Sequence, residues 1–199
     1  MEFTLNTIAI MGTVAAAPEQ HGNVYGQKDI YALLVDTLRD SGIADRIFVL
    51  VQTDDSVVEE LEVGSQVEVI GQLQTHKNWD TGRMQLFVWA TYLAEADEDS
   101  KQLNNVHIVG EVFKKPVYRE TPKGRSITDV AVRIPSVFAE GYACVIPCIA
   151  WGKYAEEVAR MEPGQPIYAA GRLQSREYLK DGQTITTWEV SINMVQVKE

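Results

Sequence analysis

The sequence predicts an all-β chain with small helical additions, arranged as two tandem five-stranded barrels. Three observations predict it. The first is an internal repeat, which sets the domain count more firmly than length does. Asn6, Gly12 and Pro18 recur as Asn104, Gly110 and Pro116 at an offset of 98. Val58, Gly64, Gly71, Leu73, Gln74 and Gly82 recur as Val158, Gly164, Gly171, Leu173, Gln174 and Gly182 at an offset of 100. The second is the abundance of aromatic and β-branched residues broken by frequent Gly and Asp turn signals, which favours short strands over long helices. The third is the stretch from Ala143 to Val197, which reads as a strand, a short helix and a two-stranded hairpin.

In the first unit, residues 1–94, the opening strand runs Asn6 to Val14, with Ile8 and Ile10 alternating with Thr7 and Ala9. A loop rich in Gly, Gln and Asn spans Pro18 to Lys28. Ile30 to Thr37 and Arg46 to Gln52 are the second and third strands, with Ile43-Ala44-Asp45 in the turn between them. A short helix is expected around Ser56 to Leu61, stopped near Gly64. Gln66 to Thr75 and Met84 to Leu93 complete the unit, joined at Asp80-Thr81-Gly82. Residues 95–102, with Glu95, Asp97, Glu98 and Asp99, form an acidic, solvated connector.

The second unit, residues 103–199, repeats the plan: Val106 to Val112, a first loop Lys114 to Arg125, and Ser126 to Pro135. The strand ending Cys148-Ile149-Ala150-Trp151-Gly152-Lys153 leads into a helix from Lys153 to Met161. Tyr154, Val158 and Met161 give that helix one apolar face, and Pro163-Gly164 stops it. Ile167 to Tyr178 and Thr184 to Val197 are joined at Asp181-Gly182, a dipeptide suited to a tight hairpin because Gly tolerates positive φ. Strands, helix and hairpin in this order make a barrel of the oligonucleotide/oligosaccharide-binding (OB) type.

Of 199 residues, 18 are Lys or Arg and 28 Asp or Glu, a net charge of −10 that argues against a nucleic-acid partner until its distribution is examined. Residues 1–100 carry 5 Lys and Arg against 17 Asp and Glu, a balance of −12. Residues 101–199 carry 13 against 11, a balance of +2. Binding depends on the field at a groove and not on the sum. Cys144 and Cys148 point to one face of their strand, roughly 13 Å apart, too far for a mutual disulfide. They read as buried reduced thiols, which fits a cytoplasmic protein. No apolar run approaches the roughly 20 residues of a membrane helix, and no signal peptide is apparent. No metal or cofactor is expected. His21, His76 and His107 are scattered, and no phosphate loop or nucleophile motif occurs, so an enzyme is not expected.

The order Cys148-Ile149-Ala150-Trp151-Gly152-Lys153, Ala155-Glu156, Gly164, Gly171 to Tyr178, Asp181-Gly182-Gln183 and Glu189-Val190 resembles bacterial single-stranded DNA-binding protein. Asn104-Asn105-Val106, Gly110, Pro116, Arg119, Thr121-Pro122 and Gly124 are similar to that family's first strand and loop. The resemblance implies a binder of single-stranded DNA without strong sequence preference, acting in replication, recombination or repair. It also implies that four barrels form the working unit, which two of these chains would supply as a homodimer. The chain ends at Glu199 directly after its last strand, so the family's acidic recruitment tail is expected to be absent.

Single strands are held by cations on phosphates and by flat faces on which bases stack. The resemblance assigns stacking to Trp151 and Tyr178, and a basic path to Arg119, Lys153 and Arg176. Charge and loop position add Lys123, Arg125, Arg172 and Lys180. Alternation sets Val145, Pro147, Ile149 and Trp151 on one face, with Cys144, Ile146, Cys148 and Ala150 towards the interior. Trp188 suits groove and core equally. Val145 stands at the family's other stacking position, Pro147 is awkward inside a paired strand, and Glu177 stands where a cation is usual. In the first unit Gln52-Thr53-Asp54 replaces Trp151-Gly152-Lys153, and Trp79 is the one candidate for stacking at its hairpin. That unit is expected to serve fold or assembly. The alternative is an accessory protein of primosomal type, acting mainly through protein contacts.

Overall fold

A computed structural model describes residues 5–22, 26, 27, 29–53, 58, 60–77, 82, 84–180 and 182–197. The elements are β1 Leu5–Gln20, β2 Ile30–Leu38, β3 Ala44–Gln52, β4 Gln66–Lys77 and β5 Met84–Glu95, then β6 Leu103–Val112, β7 Val117–Glu120, β8 Ser126–Pro135 and β9 Ala143–Trp151. The helix α1, Lys153–Ala159, precedes β10 Pro166–Lys180 and β11 Gln183–Val197. The all-β class with a short helix is as expected. Of the helix expected around Ser56 to Leu61 only Val58, Glu60 and Leu61 are described, with Val58 helical, and the turn residues Asp80, Thr81 and Asp181 fall outside the described ones.

In the first half β2, β3, β5, β4 and β1 are neighbours in that order, and β1 pairs back onto β2, so five strands close into a ring. In the second half β6, β10, β11, β9 and β8 are neighbours, and β6 pairs with β8 to close the second ring. Strands β4 and β5 in the first ring, and β10 and β11 in the second, come close together at one glycine of each unit. A Cβ on Gly71 would stand 2.3 Å from Trp89 O, and one on Gly171 would stand 2.0 Å from Ser191 O. Both follow a bulge, Ile70/Gly71 in one unit and Ala170/Gly171 in the other. These repeated glycines are kept small by close backbone approach rather than by a turn.

The repeat also carries a polar clamp. Asn6 donates Nδ2 to Leu73 O and accepts Leu73 N–H at Oδ1, both at 2.9 Å. Asn104 does the same with Leu173, at 2.7 and 2.8 Å. Each amide thus satisfies two backbone groups that the strand ladder leaves open.

The two rings are joined by antiparallel pairing of β1 with β6, from Leu5↔Val109 to Met11↔Leu103. In this register Ile8 faces Val106, its own repeat equivalent 98 residues on. The pair therefore lies on a local twofold axis relating the units, and one apolar cluster runs through both, including Ile8, Val49 and Leu73 with Val106, Ile146 and Leu173. Acidic residues 97–99 are exposed, as expected of the connector, but its end is pinned: Gln102 bonds Gln66 at 3.2 Å and Leu38 N–H at 3.2 Å.

Several boundaries differ from expectation. β1 continues to Gln20, into the expected loop, and pairs there with β2 through two irregular steps. Ala44 and Asp45 belong to β3 and not to a turn. The loop Lys114 to Arg125 contains β7, paired with β8 from Val117↔Asp129 to Glu120↔Ser126. All four β7 residues are exposed, so no apolar alternation marks the strand. Pro147 is tolerated because β11 pairs with β9 only at Cys148 to Ala150, leaving that side of the strand open at residue 147.

A Gly171→Ala substitution is expected to lower stability by about 1–3 kcal/mol, since the methyl group must displace the Ser191 backbone. Urea unfolding of the two chains side by side measures it.

Candidate nucleic-acid interface

The second ring builds its groove from registers that bring chosen side chains abreast. Arg119 on β7 faces Ile127 on β8, which faces Trp151 on β9. Ile149 faces Ser191 on β11, which faces Arg172 on β10. The turn before β8 is closed by Thr121 N–H to Arg125 O at 2.9 Å and Arg125 N–H to Thr121 Oγ1 at 3.0 Å. These strands bound a cleft of about 710 Å³. Its lining holds Arg39, Arg119, Arg125, Arg172 and Arg176 with Trp151, against one acid, Glu189, among the described residues.

Trp151 is half-buried, and its indole N–H donates to Ser191 Oγ at 3.1 Å. The alternation read from the sequence holds: Cys144, Ile146, Cys148 and Ala150 are buried and Pro147 is exposed, though Ile149 is buried as well. Burial pushes the Cys148 thiol up, and both cysteines are free. Arg119 forks onto Asp129 at 2.7 and 3.1 Å, which orients it while nearly half of its side chain remains exposed.

Arg39 comes from the first unit. It grips Asp45 with two bonds of 2.7 and 2.5 Å. Asp45 is fully buried, accepts Ser175 N–H at 3.1 Å and lies 3.7 Å from Arg172 Nε. Two guanidinium groups thus share one buried carboxylate, with Asp40 a further acid beside them. Burial, then the charge of Arg39, lowers Arg172 from its usual value, with Asp45 opposing; an arginine remains cationic all the same. Beside this network Arg46 N–H donates to Ser175 Oγ at 2.9 Å.

Of the residues singled out in the sequence, Arg119, Arg125, Trp151, Arg172 and Arg176 therefore share one cleft. Tyr178 is exposed just beyond it, with the Arg176 guanidinium 5.9 Å from its ring centre. Lys153 opens α1, its ammonium 4.8 Å from the Tyr154 ring, and neither it nor exposed Lys123 lines the cleft. Trp79 and the side chain of Lys180 lie outside the described residues. Trp188 is neither free groove nor simple core: its N–H donates to Arg46 O at 2.7 Å and its ring lies 6.1 Å from Phe48, across the unit boundary. Sequence reasoning missed Arg39 and Ile43, which the first unit lends to the lining, and Ile127, Ser191, Ile192 and Asn193 of the second. Among the described residues no group of three His, Cys, Asp or Glu could hold a metal ion, and no helix is long and apolar enough to cross a membrane.

The sequence profile of the single-strand binding protein family matches residues 103–198. The chain is 34% identical over 101 residues to single-stranded DNA-binding protein 2 of Streptococcus agalactiae serotype III, covering 48% of this chain and 77% of the relative. The chain belongs to the single-strand binding protein family. It is also 35% identical over 103 residues to a single-stranded DNA-binding protein of Bacillus cereus, and 34% identical over 103 residues to single-stranded DNA-binding protein A of Bacillus subtilis. Each of these alignments covers 49% of this chain, and the chain spans 61% and 60% of those two relatives. Among solved structures, the wild-type single-stranded DNA binding protein of Thermus aquaticus has a TM-score of 0.79 at 18% identity, covering 98% of this chain and 94% of that one. A deletion mutant of the Thermus protein has a TM-score of 0.80 at 19% identity, covering 100% and 97%. The fold shared with the Thermus protein thus extends over both rings, whereas the family profile covers the second.

Replacing Asp45 by Ala is expected to cost about 3 kcal/mol, because Arg39 and Arg172 lose their shared buried partner. Urea unfolding monitored by circular dichroism gives the value.

Proposed function

We propose that this chain binds single-stranded DNA without strong sequence preference, with the second unit as its main contact, in replication, recombination or repair. The observation that carries the reading is the cleft whose described lining holds five arginines and Trp151 with one acid. Cations there neutralise phosphates and the indole offers a face for a base, the two effects that hold single strands. Trp151 and Tyr178 are the stacking residues, and Arg119, Arg125, Arg172 and Arg176 line the path. Lys123, Lys153 and Lys180 flank it, and Trp79 would extend it onto the first unit.

In this reading residues 1–94 and 103–199 are two OB domains joined by residues 95–102, and two chains associate to supply four barrels. Two buried free thiols suit a cytoplasmic setting. The reading needs no cofactor and no catalytic step.

Titration with oligo-dT at low salt is expected to quench tryptophan fluorescence, and absence of quenching at micromolar protein overturns the reading. Trp151→Ala is expected to weaken binding by about 5- to 150-fold, the equivalent of roughly 1–3 kcal/mol for one stacked base. Arg125→Gln is expected to reduce the slope of log affinity against log salt by about 0.7. Sedimentation equilibrium is expected to give twice the chain mass, and a monomer would rule out the dimer.

A further inference from the structure

The first unit has a face corresponding to the arginine cleft, and a side chain from the second unit closes it. The correspondence follows from register. Gln74 faces Phe87 as Gln174 faces Glu189, and Gln72 faces Trp89 as Arg172 faces Ser191. Leu50 faces Trp89 as Ile149 faces Ser191. Where the second unit lines an open cleft with Glu189 and Ser191, the first therefore carries Phe87 and Trp89.

Phe138 fills the space between them. It comes from residues 136–142, which join β8 to β9 and reach across the local twofold axis. Its ring stacks on Phe87 at 6.4 Å and 26°, and meets Trp89 edge to face at 4.9 Å. This is the environment in which an unpaired base is held: a flat ring against aromatic neighbours on the face of a β-barrel.

A second observation points the same way. The Gln74 side chain is fully buried below this loop. Its Oε1 accepts from Cys144 Sγ at 3.0 Å and from Val137 N–H at 3.4 Å. A backbone N–H can only donate, which fixes the amide with Nε2 turned away from it, and that Nε2 has no hydrogen-bond partner among the described residues. The equivalent Gln174 donates Nε2 to Glu189 at 2.8 Å. With Phe87 in the place of Glu189, the first unit has kept the donor and lost the acceptor. A buried amide N–H without a partner costs free energy that an incoming acceptor recovers.

We propose that the first unit retains a nucleobase pocket formed by Phe87, Trp89 and Gln74, and that Phe138 occupies it in cis as a stand-in for the base. A base bearing a ring carbonyl, such as thymine, displaces Phe138 and stacks in its place; the Gln74 amide, released from Val137 N–H as the loop moves, turns Nε2 to the base carbonyl. The site rests on the single-strand reading above but adds a second, gated contact on a unit whose overall charge is repulsive. It is held by stacking and one hydrogen bond, so it is far less salt-dependent than the arginine cleft.

The intact chain and oligo-dT carrying 5-iododeoxyuridine test it. After irradiation at saturating oligomer, adducts on Phe87 or Trp89 support the pocket. Adducts confined to Trp151 and its neighbours overturn the pocket and leave the single-strand reading standing. No adduct anywhere overturns both. A second arm removes the plug: Phe138→Ala is expected to bind long oligo-dT about fivefold tighter or more, with the gain abolished by adding Gln74→Leu. Unchanged affinity in a Phe138→Ala chain that melts like the wild type overturns the proposal, and should that variant misfold, the crosslinking on the unaltered chain decides.

Discussion

The pairing of β1 with β6 is the interaction on which the rest of the structure depends. Seven residues from each strand face one another, and the central pair, Ile8 with Val106, joins equivalent positions of the repeat. Each ring closes on itself, but without this pairing residues 5–11 of one and 103–109 of the other would be left as an open strand edge with unpaired backbone groups. Pairing satisfies the backbone and merges the two cores into one cluster. It also fixes which loops cross: the β2–β3 turn carries Arg39 to the second cleft, and residues 136–142 carry Phe138 to the first unit.

Within that symmetric frame the two units have diverged in opposite directions. Equivalent positions hold Glu189 and Ser191 in one and Phe87 and Trp89 in the other, on the same backbone registers. The second unit has a polar, arginine-lined groove, whereas the first has an apolar cluster of Ile30, Leu50 and Phe87 closed by Phe138. A net charge of −10 conceals this arrangement, because no acid of the first half is among the described residues that line the cleft, and Asp45 is buried as a counter-ion to two arginines. Local geometry decides the field that a phosphate meets.

Most of the strand plan was readable in the sequence, since period-two alternation and glycine punctuation are properties of neighbouring residues. Ser126 to Pro135 is reproduced to the residue. β7 was not readable because all its side chains are exposed and it is held only by backbone pairing to β8. Asp45 resembles a turn residue by type, and only its partners Arg39 and Ser175 explain why it is buried in a strand. Arg119, Trp151 and Arg176 of the cleft could be named from resemblance, and Arg125 and Arg172 from charge and loop position. Arg39, Ile43 and the role of Trp188 could not, because they depend on how one unit is set against the other, and no local pattern encodes that.

The self-matching β1–β6 seam has a consequence for dissection of the molecule. Cutting the chain near residue 102 and separating the halves would bare a seven-residue strand edge on each fragment, free to pair with other copies. Released halves would therefore tend to rejoin through like-with-like pairing, second unit with second unit. Covalent linkage keeps two unlike halves matched one to one, and so allows one of them to drift in chemistry without being replaced at the seam by its twin.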